Sequence, residues 1–297
     1  MPSAYVNNIT IEYETFGPAT GTPILLISGY TGQMISWPMS FIEPLVEQGY
    51  RVIRFDNRDI GLSHQFDDKG IPNMSEIVAG LKDGTAAEKA PYLLNDMADD
   101  AAALLVELKA TPAIVMGVSM GGMITQLVAL RHPDKVKAII PTMTTSGRPG
   151  LPGPTKEAQA ALLARPASVS RLAIIEAAVT GNRAYGSAPP YQASVEEISE
   201  KAGKAFDRAY RPAGISRQYA AIVAQPRWHE DLKSLNVPTM VLHGSVDNLI
   251  PAPCGKDAAE LIPNAQYVEV ENWGHDMPEK AVPILLDHVL NFANQYK

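Results

Sequence analysis

The chain has 297 residues, of which 46% are hydrophobic and 19% charged; general disorder is excluded, and the length allows one domain with a sizeable insertion. A net charge of −7 leaves no basic footprint for nucleic acid or an anionic membrane, and the single Cys254 excludes an intrachain disulfide framework and any multi-cysteine metal site. No apolar run approaches the roughly 20 residues of a membrane helix, and the opening MPSAYVNNITIEYE lacks the order of a signal peptide, so a soluble, cytoplasmic protein is expected.

Asn7-Asn8 followed by the alternating run Ile9 to Glu14 predicts a short hairpin. The pattern then changes to runs that are apolar on both faces, as in strands buried on both sides of a parallel sheet. These are Pro23 to Ser28, Val52 to Phe55, Ala113 to Met116, Val136 to Pro141 and Pro238 to Leu242, and the apolar run Tyr267 to Val270 reads as a further strand. Between them the spacing predicts helices over Phe41 to Gln48, Met97 to Lys109, Met120 to Arg131, Ala258 to Leu261 and Ile284 to Asn294. Alternating strands and helices mean βαβ units and a mostly parallel sheet covered on both faces, an α/β fold.

The alternation breaks after the Gly/Pro-rich stretch 147–154. Helices are expected over Lys156 to Arg165, Val169 to Thr180, Val195 to Tyr210 and Ala213 to Gln225, the third opened by a capping box of Ser194 and Glu197. Residues 146–229 therefore read as a helical cap or lid inserted into a core made of 1–145 and 230–297. A surface subdomain without a role in the site is the plainer alternative.

Gly117-Val118-Ser119-Met120-Gly121 matches G-x-S-x-G and stands between a buried strand and a helix, the setting a nucleophile elbow requires. A serine hydroxyl needs a base. Of the six histidines, His275 lies on a loop just after an apolar strand and is the candidate. His132 reads as a helix C-cap, His64, His229 and His288 as surface residues, and His243 as a support at a strand end. Asp247, on the loop after the preceding strand, is the candidate carboxylate to orient His275, with Glu271 and Asp276 as rivals. Two backbone N–H groups, of Tyr30 after the Ile24 strand and of Met120 after the nucleophile, are the candidate oxyanion donors. Tyr30, Met34 and Trp37 are candidate pocket residues, Trp37 equally a core residue. No metal- or phosphate-binding motif occurs, so no cofactor is expected. Cys254 reads as a packed thiol.

These residues resemble the α/β-hydrolase family across both core segments. The chain order Ser119, Asp247, His275 is that family's order, and Asp56-Asn57-Arg58-Asp59-Ile60-Gly61-Leu62-Ser63 is similar to its D-x-R-G-x-G-x-S turn, with Asp59 where Gly is usual. The Arg58-Asp59-x-Gly61-x-Ser63 form, Trp37-Pro38 and Gly274-His275 are nearest to the aclacinomycin methylesterase branch. The resemblance implies a carboxylic ester hydrolase with a Ser-His-Asp triad and no cofactor; the apolar cap and pocket residues suggest a small-molecule ester of apolar or aromatic character as its substrate. Perhydrolysis, lactone opening, amide cleavage or C–C hydrolysis on the same triad are the alternatives within enzymes. A non-catalytic small-molecule receptor is the alternative outside them.

Overall fold

A computed structural model describes residues 2–164 and 166–297. Among these, eight strands form one sheet: β1 (Ser3–Val6), β2 (Ile9–Phe16), β3 (Thr22–Ile27), β4 (Tyr50–Phe55), β5 (Ala113–Val118), β6 (Val136–Thr142), β7 (Met240–Gly244) and β8 (Gln266–Val270). Their order is β1-β2-β4-β3-β5-β6-β7-β8. β2 is antiparallel to both neighbours, and every pairing from β4 to β8 is parallel. The expected hairpin forms, with Asn7 and Asn8 at φ 48° and 62° in its turn.

The doubly apolar strands are buried on both faces by helices in chain order: α1 (Met39–Glu47), α2 (Met74–Asp83), α3 (Ala86–Lys89), α4 (Leu94–Glu107), α5 (Met120–Arg131), α6 (Lys156–Leu163), α7 (Arg171–Tyr185), α8 (Val195–Arg208), α9 (Pro212–Ala224), α10 (Ala252–Leu261) and α11 (Val282–Ala293). Ile24 and Leu26 of β3 pack with Phe41 and Leu45 of α1 and Leu285 and Val289 of α11. Leu25 and Ile27 point the other way, against Leu104 and Leu105 of α4 and Ile124 and Leu127 of α5. The period-2 geometry of one strand thus feeds two cores.

Local chemistry explains where the elements depart from expectation. α4 starts three residues before Met97, because Asp96 accepts the Leu93 N–H at 2.7 Å and satisfies the helix start. α2 was not expected; Asn73 caps it and Gly84, at φ 81°, ends it. Of the box expected at α8, only one half forms. Ser194 Oγ accepts the Glu197 N–H at 3.1 Å, but the Glu197 carboxylate is taken by Lys201 at 2.8 Å and by the Glu279 N–H at 3.0 Å. α6 ends at Leu163, and Arg165, its expected last residue, lies outside the described residues.

Helices α6 to α9 all lie between β6 and β7. Two buried ion pairs fasten them to the turn after β4. Arg208 of α8 meets Asp56 at 2.7 Å, and Arg217 of α9 holds Asp59 through two hydrogen bonds of 2.8 and 2.7 Å. Asp59 stands at φ 68°, the left-handed conformation for which a glycine is usual. Aspartate tolerates that region better than most residues, and its carboxylate here supplies the counter-ion for Arg217.

Candidate active site

The turn from β5 into α5 holds Ser119 at φ 57° and ψ −119°, a strained conformation for a residue with a side chain. The backbone around it accounts for that strain. Ser119 N–H donates to the Thr142 carbonyl at 2.9 Å, and its own carbonyl accepts the N–H groups of Gly122 and Met123 at 2.9 and 3.1 Å. The crowding dictates both glycines of the motif. A Cβ on Gly117 would run into the Gly121 carbonyl, and one on Gly121 into the Ile27 carbonyl of β3. Only hydrogen at these positions lets strand, turn and helix approach this closely.

The carboxyl ends of the next strands are stitched to the same rim. Met143 N–H donates to Leu242 O at 2.8 Å, and Ser245 N–H to Val270 O at 3.0 Å. From this rim come Asp247, after β7, and His275, after β8. His275 Nδ1 lies 2.7 Å from Asp247 Oδ2. The other carboxylate oxygen accepts the N–H groups of Leu249 and Ile250 at 2.9 and 2.8 Å. Burial alone would raise the Asp247 carboxyl, but the charge of His275 and the contacts with His243 and His275 outweigh it and hold the group well below 3.8. An ionised carboxylate can only accept, so Nδ1 carries a proton, and in the neutral imidazole Nε2 is the nitrogen with a free lone pair. Among the described residues Ser119 Oγ makes no side-chain hydrogen bond, so histidine and carboxylate are paired while the hydroxyl stands unengaged. Contacts of this kind are often long without substrate and tighten when it binds.

The loop after β3 approaches the elbow closely. A Cβ on Gly29 would lie 3.0 Å from the Val118 carbonyl and 3.2 Å from Ser119 Cβ. The N–H groups of Tyr30 and Met120 have no protein acceptor among the described residues. The loop is held from three sides: Asn57 donates to Ser28 O at 3.1 Å, Asp56 accepts the Met34 N–H at 2.8 Å, and Gln218 of α9 accepts the Thr31 N–H at 3.4 Å. The Tyr30 ring lies 5.9 Å from that of Tyr219, also on α9, and burial raises its phenol to about 12.

Two of the three expected pocket residues are elsewhere. Met34 is 0% and Trp37 1% exposed, so neither has surface to offer a ligand. Trp37 packs against Phe41 with ring centroids 5.5 Å apart, in the core beneath α1. A large apolar side chain after a strand gives the same sequence signal whether it turns inward or towards a cleft. Cys254 is buried, its thiol raised to about 11 by burial and then by Asp247. His132 occupies the C-cap position of α5 and pairs with Asp99 at 2.7 Å. His64 is exposed, and His229 and His288 are half-buried. Among the described residues no group of three or more His, Cys, Asp and Glu side chains could hold a metal ion, and no helix is long and apolar enough to cross a membrane.

The rival carboxylates fall apart. Glu271 is exposed. Asp276 is taken up at the end of α7, where it accepts Asn182 Nδ2 at 2.7 Å and the Ser187 N–H and hydroxyl at 3.1 and 2.5 Å. Ser187 Oγ in turn accepts the Gly274 N–H at 3.0 Å, and Tyr185 O accepts the His275 N–H at 2.7 Å. The inserted helices therefore grip the histidine loop, through a residue that local sequence offered only as a competitor to Asp247. Asp276→Ala is expected to strip these donors of their acceptor and let the loop drift. A misplacement of about 1 Å costs up to ~10²-fold in rate, so steady-state kinetics should show the loss in kcat more than in KM.

Comparison with known proteins follows the same lines. A family model described as the alpha/beta hydrolase fold matches residues 22–281. The rhodomycin D methylesterase DnrP of Streptomyces peucetius is 26% identical over 310 residues, covering 94% of this chain and 93% of that one. The bifunctional esterase/perhydrolase DCH of Acinetobacter calcoaceticus is 25% identical over 299 residues, covering 96% of each. Among solved structures, the enol-lactonase from Burkholderia xenovorans LB400 superposes with a TM-score of 0.74 at 20% identity, covering 99% of this chain and 100% of that one.

Proposed function

The chain belongs to the alpha/beta hydrolase fold family and is a hydrolase, and from that premise we propose that it is a serine-dependent carboxylic ester hydrolase working through an acyl-enzyme. The observation that carries the reading is the pairing of a strained serine turn with the His275–Asp247 hydrogen bond on one rim of the sheet. Ser119 Oγ attacks the ester carbonyl as His275 Nε2 takes its proton. The N–H groups of Tyr30 and Met120 receive the oxyanion, and His275 returns the proton to the leaving alcohol. Water activated by the same imidazole then releases the acid. No step needs a cofactor.

Helices α6 to α9 form the cap over this site, within 146–229. Tyr30 and Tyr219 supply aromatic surface beside the oxyanion position, which suits a small or medium apolar or aromatic ester. The likeness to a protein named bifunctional esterase/perhydrolase over 96% of the chain supports a second reading, in which peroxide replaces water as the acceptor of the acyl group. Both readings share the acyl-enzyme.

A serine-directed fluorophosphonate tests the shared step. Labelling is expected at Ser119 alone, with loss of turnover on short p-nitrophenyl esters in proportion to labelling. Peracid formation from the acyl-enzyme in added peroxide then separates the two readings. A protein that neither labels nor turns over esters is a binding module, and the proposal ends there.

A further inference from the structure

His243 is the last-but-one residue of β7 and is 0% exposed. Its Nε2 lies 2.8 Å from the Ile250 carbonyl. A carbonyl can only accept, so Nε2 carries the proton. The same Nε2 lies 3.6 Å from Asp247 Oδ2, the oxygen that accepts His275 Nδ1. That distance is too long for a hydrogen bond, but it puts the positive end of the N–H dipole against the carboxylate in a site closed to water, where such interactions are strong. Ile250 also donates its own N–H to Asp247 Oδ1 at 2.8 Å. One imidazole thus grips the loop 247–250 by its far end and faces the carboxylate at its near end.

The other ring nitrogen argues that this is more than filling. His243 Nδ1 is buried with no hydrogen-bond partner, and a Cβ on Gly255 of α10 would collide with it. An aliphatic side chain would fill the strand end without burying an unpaired nitrogen, so the histidine is explained by what Nε2 does.

We propose that His243, through its Nε2–H, is the positioning residue of the triad carboxylate, holding Asp247 in place and tempering its negative charge towards His275. This rests on the triad reading above. The titratable groups around Asp247 are His243, His275 from the loop after β8, and Cys254 at the start of α10. Those around His275 are Asp247, Tyr185 of α7 and Asp276.

The sign of the effect follows. Without the Nε2–H dipole the carboxylate is less compensated and holds the His275 imidazolium more tightly. The base is then lost at a higher pH. In the pH profile of kcat/KM, His243→Leu is expected to move the acid limb up by about half a pH unit or more, with kcat falling and KM little changed. His243→Gln, which keeps a donor, should bring the limb back towards its original place. An acid limb that stays where it was, with the profile merely scaled down, or that moves to lower pH, overturns the proposal.

Imidazole NMR of the unsubstituted protein gives an answer even if the Leu variant fails to fold. His243 should carry a proton on Nε2, facing the Ile250 carbonyl, and a ring whose only proton sits on Nδ1 contradicts it. Full activity of Ser119→Ala would strike the triad itself; a working triad with an unmoved limb strikes only His243.

Discussion

Ser119→Ala is expected to lower ester turnover by about 10⁶-fold while leaving the fold intact. On the proposed mechanism the size follows from what is removed: without the hydroxyl there is no acyl-enzyme, and His275 and Asp247 have no nucleophile to activate. What survives is binding and oxyanion stabilisation alone, roughly 10³–10⁴ over water. Alanine keeps a Cβ, so the strain at φ 57° is the same in both proteins and thermal stability should barely move. The same logic makes the triad non-additive. His275→Ala should cost nearly as much alone, and the double variant no more than either single one. Retention of more than about 1% of activity in purified Ser119→Ala would place the nucleophile elsewhere.

The sheet and the elbow were legible because their causes are local. Ile24 to Ile27 must be buried on both faces whatever covers them, and G-x-S-x-G between a strand and a helix has few other uses. Asp247 and His275 could be named because each follows a strand whose carboxyl end faces the same rim, and a hydrogen bond of 2.7 Å joins their side chains. The remainder depends on partners far away in sequence. Asp59 read only as a departure from the family's turn, because its reason, Arg217, lies 158 positions later. Asp276 read as a rival acid, because its partners Asn182 and Ser187 are on the inserted helices. The helix at Met74 was readable and was missed: Asn73 and Glu76 cap its start, with Asn73 Nδ2 donating to Glu76 at 2.7 Å, and Gly84 stops it. Its partly exposed face, with Val78 and Leu81, blurs the apolar stripe.

The second large expected effect concerns the joint between inserted helices and sheet. Arg217 and Asp59 have side chains 1% and 0% exposed, and breaking a buried pair by removing one partner costs about 3–5 kcal/mol. The two single variants should differ. In Asp59→Gly the guanidinium keeps Asp67 at 3.1 Å and the Gly70 carbonyl at 2.9 Å, and glycine relieves the backbone at φ 68°, so the cost falls at or below the bottom of that range. In Arg217→Met the Asp59 carboxylate loses its buried counter-ion and keeps the neutral Phe66 N–H at 2.9 Å, so the cost falls at the top. The double variant carries neither charge and restores the residue usual in the turn; it should cost less than the sum of the two single variants, by a coupling energy of about 2–3 kcal/mol between the sites. Denaturant unfolding of the four proteins measures this directly, and at ~2–4 °C per kcal/mol the Arg217→Met protein should melt roughly 10 °C early. A cost below about 1 kcal/mol for Arg217→Met would show that the pair only fills space. Because Gln218 and Tyr219 follow Arg217 on the same helix and reach the loop of Tyr30, loss of the pair should also raise KM before it unfolds the protein, which ties the stability of the joint to the shape of the site.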